Sequence, residues 1–334
     1  MDFTKGVLGI TSSIPIEIPL AAGRTVIDLN NLFIQSETPE EYIRLAEKQG
    51  FPRNCCSWIR GIFGLVKQER VPGVIFVTGG DCSNTHAMME VLQRSLVECF
   101  TFAYPLTRNR NTLHGEMETL CHALGTTFQK AQEKCAELDV IRRELANLDK
   151  MTFHTGQVTG KENFLWLVSA SDFQGDPTRF HKDLRIFLDE ARARKTSESG
   201  VRLAVLGVPP VYHDLHERIA EMGGRVVLNE IPLQFAMLPG PDDLVDRYLA
   251  FSYPYGVRAR IADIRKKLVS RRVEGIIHYT QSFCHRQIHD ILIRDAVNIP
   301  VLTLEGENPG ECDSRARLRL ESFLEILLEK QQNL

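Results

Sequence analysis

The stretch VIFVTGGDC, residues 74–82, decides the fold class of this chain of 334 residues. Its four apolar, mostly β-branched residues predict a buried strand, and the two glycines that follow mark a turn. Cys82 closes that turn. In open α/β sheets, functional side chains gather at the edge where the parallel strands end. The stretch therefore predicts a parallel strand that brings Cys82 to such an edge.

The same pattern, a strand followed by a cysteine, recurs near the other end of the chain. Residues 275–279, GIIHY, predict a second buried strand, and Cys284 follows it after a short turn. A third cysteine, Cys56, lies in the segment NCCSWIR, residues 54–60. Thiolates that distant loops bring to one crevice are the ligands of an iron–sulfur cluster. We expect Cys56, Cys82 and Cys284 to converge.

Strands alternate with helical stretches along most of the chain, which indicates βαβ units. Strands are predicted at residues 7–11, 25–29, 74–77, 202–207, 225–228, 275–279 and 301–304, and helices at 39–49, 87–102, 213–222, 263–271 and 315–329. We predict an α/β fold of two doubly wound, Rossmann- or flavodoxin-like parallel-sheet domains with a helical region, residues 114–148, between them.

The predicted domains divide the three cysteines between them. Residues 1–150 form an N-terminal α/β domain that carries Cys56 and Cys82. Residues 151–334 form a helical segment and a C-terminal α/β domain that carries Cys284.

The composition excludes several classes of partner. A net charge of −3 gives no reason to expect nucleic acid or an anionic membrane. No apolar run approaches the ~20 residues of a membrane span. Residues 1–6 lack the basic and apolar parts of a secretory signal. We expect a cytoplasmic protein without a nucleic-acid or membrane partner, in which the cysteines stay reduced. The helical surroundings of Cys99 and Cys135 predict buried packing residues.

Six segments of the chain, in the same order, resemble the 2-hydroxyacyl-CoA dehydratase and benzoyl-CoA reductase family of iron–sulfur subunits. They are residues 9–23 with Pro15 and Glu17, Cys56-Ser57-Trp58-Ile59-Arg60 with Gly64, Asp81-Cys82, residues 207–210 with 221–227, residues 275–284, and residues 319–323. The resemblance covers nearly the whole chain. It implies that Cys56, Cys82 and Cys284 bind a [4Fe-4S] cluster in which one iron stays open.

The resemblance also implies an enzymatic function. An ATP-hydrolysing iron–sulfur activase would supply low-potential electrons, and this subunit would pass them to an acyl-CoA thioester. One electron on the thioester carbonyl gives a ketyl radical, which expels the α-hydroxyl group and acidifies the β-hydrogen. Family members work with a homologous subunit, as homodimers or heterodimers. Glu17, Asp81 and His285 lie near the cysteine motifs, but each is equally well explained as a cap or turn residue, so no catalytic acid or base is assigned.

Three alternatives stay open. Some relatives carry a double-cubane [8Fe-9S] cluster that six thiolates hold and that reduces small molecules. Cys55, Cys121 and Cys312 would complete such a set here. A zinc protein is the second alternative, because Cys284, His285 and His289 offer ligands on one helix face, although the chain has no CxxC. The third is a scaffold protein without catalytic activity.

Overall fold

The computed structural model of the chain describes residues 6–197 and 199–332. It contains two four-stranded, all-parallel sheets flanked by helices, which confirms the predicted fold class. Met1 to Lys5, where the sequence predicts no secretory signal, lie outside the described residues. No helix in the described part of the chain is long and apolar enough to cross a membrane.

The strands and helices alternate along the chain. The strands are β1 (Val7–Ile10), β2 (Thr25–Asp28), β3 (Gly73–Gly79), β4 (Glu98–Ala103), β5 (Val201–Gly207), β6 (Gly224–Asn229), β7 (Gly275–Thr280) and β8 (Val301–Glu305). The helices before β5 are α1 (Glu17–Ala21), α2 (Leu29–Ile34), α3 (Pro39–Lys48), α4 (Ser57–Gln68), α5 (Ser83–Leu92), α6 (Arg110–Leu124), α7 (Phe128–Lys150), α8 (Gly160–Val168) and α9 (Pro177–Arg192). Those after β5 are α10 (Leu215–Glu221), α11 (Glu230–Phe235), α12 (Leu244–Ala250), α13 (Val257–Ser270), α14 (His285–Ala296) and α15 (Ser314–Gln332).

The chain divides into two compact units. Unit 1 comprises residues up to 143, 169–183 and 235–256, and unit 2 comprises residues 144–168, 184–234 and those from 257 onward. Strands β1 to β4 belong to unit 1, and β5 to β8 belong to unit 2. Each unit is assembled from several segments of the chain.

The two sheets have the same strand order. It is β2-β1-β3-β4 in unit 1 and β6-β5-β7-β8 in unit 2. In each sheet the second strand in the chain lies on one side of the first, and the third lies on the other side. The chain connections on the two sides of the first strand therefore run in opposite directions, and the order of the strands reverses between β1 and β3 and between β5 and β7. In doubly wound sheets, the carboxyl ends of such strands border the binding crevice.

The helix predicted over residues 87–102 is wrong in its second half. Helix α5 ends at Leu92, and β4 follows as the edge strand of the unit 1 sheet. Aromatic and β-branched residues at 100–102 favour a strand, and Phe102 is buried while Thr101 is exposed. Cys99 therefore lies half-buried in a strand, so its predicted helical burial is also wrong. Cys135 is buried in α7, as predicted.

The long helical region predicted at residues 114–148 is interrupted once. Helix α6 ends at Leu124, and Gly125 adopts φ +72° at its C-terminus. A glycine there adopts the left-handed conformation that commonly ends a helix. Helix α7 then begins at Phe128.

A buried ion pair joins α1 to α7 in unit 1. Arg142 Nη2 lies 2.6 Å from Glu17 Oε1, and both side chains are at most 1% exposed. The Tyr248 hydroxyl donates to Glu17 Oε2 at 2.9 Å. Such a pair contributes to stability only because its geometry and its hydrogen bonds offset the loss of solvation. Glu17 thus has a structural explanation that does not involve the cysteine motifs.

Candidate functional site

Strand β3 places Cys82 just beyond the carboxyl edge of the unit 1 sheet. Gly79 ends the strand, and Gly80 adopts φ +85° in the turn. A Cβ at Gly80 would lie 2.7 Å from Pro254 Cβ and 2.9 Å from Tyr104 Cβ, so only glycine fits this turn. Cys82 is the N-cap residue of α5, with extended φ −66° and ψ 134°. Its side chain therefore starts beside the unpaired N–H groups of a helix N-terminus.

Cys56 holds the same local position on α4, where it is the N-cap residue with φ −59° and ψ 152°. Helix α4 leads into β3, and a helix that precedes a parallel strand runs opposite to it. The N-terminus of α4 consequently lies at the carboxyl edge of the sheet, where Cys82 also lies. A Cβ at Gly64 would stand only 2.0 Å from the Tyr42 carbonyl oxygen, so α4 packs closely against α3.

Electrostatic interactions join Cys55, Cys56 and Cys82 in unit 1. A hydrogen bond between the Cys55 and Cys56 side chains lowers the pKa of Cys55 and raises the pKa of Cys56. Cys82 disfavours ionisation of Cys55, so the two sulfurs lie within electrostatic range of each other. The backbone N–H groups of Ile59 and Trp58 at the start of α4 favour the thiolate of Cys56, although its side chain forms no capping hydrogen bond there. All three thiols are partly exposed.

Cys284 lies in unit 2, in the position that corresponds to that of Cys82. Strand β7 ends at Thr280, and Cys284 is the N-cap residue of α14, with φ −75° and ψ 126°. The residue before it, Phe283, adopts φ +61°, which is uncommon for a bulky residue. Cys284 is partly exposed.

The carboxyl edge of each sheet also carries buried polar atoms that have no hydrogen-bond partner within the described residues. In unit 1 Ser13 Oγ lies three residues beyond the end of β1. In unit 2 His278 Nε2 and Thr280 Oγ1 lie on the last three residues of β7. His278 Nδ1 pairs with Asp290 Oδ1 at 2.8 Å, and burial lowers the pKa of this imidazole. None of these side chains was predicted from the sequence, although a polar residue at the end of an apolar strand is a usable signal.

The further cysteines of the alternative set differ from one another. Cys55 is partly exposed beside Cys56, whereas Cys121 on α6 and Cys312 are buried. Burial raises the pKa of Cys121 to about 11. Burial, together with a hydrogen bond to Asp214, raises the pKa of Cys312 to about 12. These two thiols are therefore strongly protonated at neutral pH in the described conformation.

The histidines of the zinc alternative lie on α14. The ring centroids of His285 and His289 are 5.9 Å apart. Within residues 6–197 and 199–332, no three His, Cys, Asp or Glu side chains are grouped to hold a single metal ion. The thiolates of a four-iron cluster each bind a different iron, so they lie farther apart than the ligands of one ion do.

The fold and the thiols define a class of protein: two doubly wound α/β units with half-exposed cysteines at the carboxyl edges of their sheets. The family model of the 2-hydroxyglutaryl-CoA dehydratase D-component matches residues 11–327. The chain therefore belongs to that family, which confirms the resemblance seen in its six segments. No curated protein matches the chain at a significant level.

Proposed function

We propose that this chain is the iron–sulfur component of an ATP-driven dehydratase or reductase that acts on acyl-CoA thioesters. Dehydratase components of its family in general bind iron–sulfur clusters and act with an activase. One observation carries the proposal to particular residues. Cys56, Cys82 and Cys284 are each partly exposed and each occupy the N-cap of a helix of at least ten residues.

The chemistry of these donors fits a [4Fe-4S] cluster. Thiolates are the usual ligands of such clusters, and a helix N-terminus favours the thiolate over the thiol. When bound, the cluster would supply single low-potential electrons to the substrate.

The surroundings of Cys56 would hold it in place and tune its charge. The backbone N–H groups of Ile59 and Trp58 favour negative charge on the Cys56 sulfur. Cys55, Cys56 and Trp58 pack against the buried apolar core of unit 1. That packing excludes water from one side of the cysteine loop, and hydrogen bonding and burial are the means by which a protein sets a cluster potential.

We infer that an ATP-hydrolysing activase supplies the electrons and that the chain works beside a homologous subunit. The double-cubane cluster is the second candidate, because Cys55 lies next to Cys56 and within electrostatic range of Cys82. It would require Cys121 and Cys312 to become accessible from their buried positions and, like Cys56, to lose their protons on binding.

The test is a count of iron, acid-labile sulfide and zinc per chain in anaerobically purified protein and its alanine variants. We expect about four irons per chain. Cys56→Ala, Cys82→Ala and Cys284→Ala should each lose most of the iron, whereas Cys121→Ala and Cys312→Ala should keep it. Cys135→Ala, which removes a buried thiol outside every motif, is the matched control.

The other outcomes are equally decisive. About eight irons, with iron lost from Cys55→Ala, Cys121→Ala and Cys312→Ala, would replace the single cluster by the double cubane. Zinc without iron would overturn both. Iron-loaded protein that, with an activase and reductant, dehydrates no 2-hydroxyacyl-CoA and reduces no aromatic acyl-CoA would contradict the thioester substrate.

A further inference from the structure

The end of strand β7 gathers buried polar atoms that have no hydrogen-bond partner within the described residues. They include His278 Nε2 and Thr280 Oγ1 on the strand and His289 Nδ1 on α14, within electrostatic range of His278. His278 and Thr280 are two residues apart, so their side chains lie on the same face of the sheet. His278 also pairs with Asp290 of α14, which places α14 over that face. Buried polar atoms almost always have a partner, so such a group requires an explanation.

This face lies at the point where the strand order of the unit 2 sheet reverses. Strand β7 pairs with β5, whose last residue is Gly207. A Cβ at Gly207 would lie 3.1 Å from His278 Cδ2, so the Cδ2–Nε2 edge of the imidazole faces the end of β5. Arg260 of α13 reaches the same glycine, since its Nη2 donates to the Gly207 carbonyl oxygen at 3.3 Å. In doubly wound sheets a ligand binds in the crevice at such a point.

The crevice is electrically positive. Arg260 and Glu230 form a buried bidentate pair with N–O distances of 2.7 and 2.6 Å. Arg286, buried in the first turn of α14, acts electrostatically on both Glu230 and His289. Burial, together with the charges of Arg260 and Arg286, lowers the pKa of His289 to about 4. At His289 the guanidinium groups therefore outweigh the carboxylate of Glu230.

The hydrogen bond between His278 and Asp290 determines what a ligand must offer. Against the effect of burial, hydrogen bonds from Arg294, Thr303 and His278 lower the pKa of Asp290. The ionised carboxylate accepts the proton of Nδ1, so the neutral imidazole of His278 presents a lone pair at Nε2. Nε2 therefore takes a donor, whereas the Thr280 hydroxyl has a proton to give. A water molecule satisfies both atoms, but an oxyanion that still carries a proton also matches the positive charge.

We propose that this crevice of unit 2 binds a free, protonated oxyanion of the phosphate class. The O–H of the oxyanion donates to His278 Nε2, and the Thr280 hydroxyl donates to one of its anionic oxygens. Arg260 and Arg286 supply the opposite charge. Because His278 and Thr280 are fully buried, the ligand is enclosed and small, a free anion and not a phosphate group carried on a large molecule. All of these residues belong to unit 2 and none is a motif cysteine, so the site does not rest on the proposed function.

Isothermal titration calorimetry of the anaerobically purified protein with inorganic phosphate, at neutral pH and constant ionic strength, tests the site. We expect one phosphate to bind per chain. Sulfate has the same shape but carries no proton at neutral pH, so His278 Nε2 would face an anionic oxygen. Sulfate should therefore bind at least roughly tenfold more weakly than phosphate. Coenzyme A, whose phosphates are carried on a large molecule, should not compete with phosphate.

Thr280→Val separates ligand binding from folding. It replaces a hydroxyl that has no partner by a methyl group, so it should weaken phosphate binding at least roughly fivefold without lowering the stability of the free protein. Thr152→Val is the matched control, because it removes another buried hydroxyl of unit 2, one that donates to the Leu148 carbonyl oxygen. It should lower the free energy of unfolding and leave phosphate binding unchanged. Urea unfolding measures both stabilities.

Several results would overturn the proposal. They are no phosphate binding, equal affinity for sulfate, equal weakening of phosphate binding by the two variants, and binding of coenzyme A in place of phosphate. A Thr280→Val variant as destabilised as Thr152→Val would overturn it too, since the hydroxyl would then already have a partner. Iron is counted on the same samples. Phosphate binding that depends on iron and is unchanged in Thr280→Val would belong to a cluster and not to this crevice, so the proposed function and this site can fail independently.

Discussion

Cys82 and Cys284 occupy equivalent positions in two sheets of identical strand order. Each follows the third strand of its unit and each is the N-cap residue of the next helix. In both turns one residue shortly before the cysteine adopts a left-handed conformation: Gly80 at φ +85° and Phe283 at φ +61°. A βα turn in each unit, of two residues in unit 1 and three in unit 2, thus presents a thiol at the carboxyl edge of its sheet.

The Gly80 turn leads to the first prediction. Gly80→Ala should lower the iron content and destabilise unit 1, because the new methyl group would strike Pro254 and Tyr104. Gly125→Ala is the control, since Gly125 has a similar φ of +72° but no neighbour within 4 Å of the added carbon. Both variants bear the left-handed penalty of about 1–2 kcal/mol. Equal iron content in the two variants would contradict the assigned role of the turn.

The second prediction concerns the packing of α4. Gly64→Ala should reduce the free energy of unfolding by about 1–3 kcal/mol, because its methyl group has no room beside the Tyr42 carbonyl oxygen. Gly115→Ala, in the open middle of α6, should stabilise the protein by up to about 1 kcal/mol. Urea unfolding of both variants measures the difference. Similar shifts of the same sign would show that α4 has more space than the structure indicates.

The third prediction tests the buried ion pair. Glu17→Gln removes the nearer carboxylate of Arg142 in a site that is 1% exposed and leaves only Asp139, 3.6 Å away, so the free energy of unfolding should fall by about 3 kcal/mol, the lower end of the cost of breaking a buried pair. Asp189→Asn breaks the exposed pair with Arg192 and should change stability by less than about 1 kcal/mol. Thermal and chemical unfolding compare the two. A loss in Glu17→Gln no larger than in the control would contradict a structural role.

The fourth prediction concerns pH. Burial, together with the charge of Asp28, raises the pKa of Asp172 from 3.8 to about 7. The folded state therefore holds this proton more tightly than the unfolded state does. Its contribution to stability is complete below about pH 4 and is lost as the pH rises through 7.

Asp172→Asn removes that dependence. Between pH 4 and 7 the stability of the variant relative to the wild type should rise by up to about 1.4 kcal/mol per pH unit. Urea unfolding at several pH values measures this difference in stability. The stability of the control variant Asp189→Asn, at an exposed position, should change with pH in parallel with that of the wild type. Parallel curves for Asp172→Asn would show that Asp172 titrates alike in the folded and unfolded states.

Local sequence patterns predicted the two strands that precede Cys82 and Cys284, because the residues that define each strand and its turn are neighbours in the chain. An apolar run, a glycine turn and a cysteine define β3 and Cys82 without reference to the rest of the chain. Strand β4 was missed because the helix predicted from residue 87 was extended through it, although the aromatic and β-branched residues at 100–102 favour a strand, which pairs with β3. The partners of Glu17 lie 125 and 231 positions away along the chain, so no local sequence pattern predicts these contacts.

The sequence by itself determined the α/β class and the family and predicted the three motif cysteines as cluster ligands, because apolar periodicity and short motifs can be recognised within a local stretch of the chain. Only the tertiary structure decided that Cys121 and Cys312 are buried while Cys55 is half-exposed beside Cys56. It alone left Ser13 Oγ, His278 Nε2 and Thr280 Oγ1 unpartnered within the described residues. Burial, hydrogen bonding and exposure depend on which distant segments pack together, and that is settled only when the chain has folded.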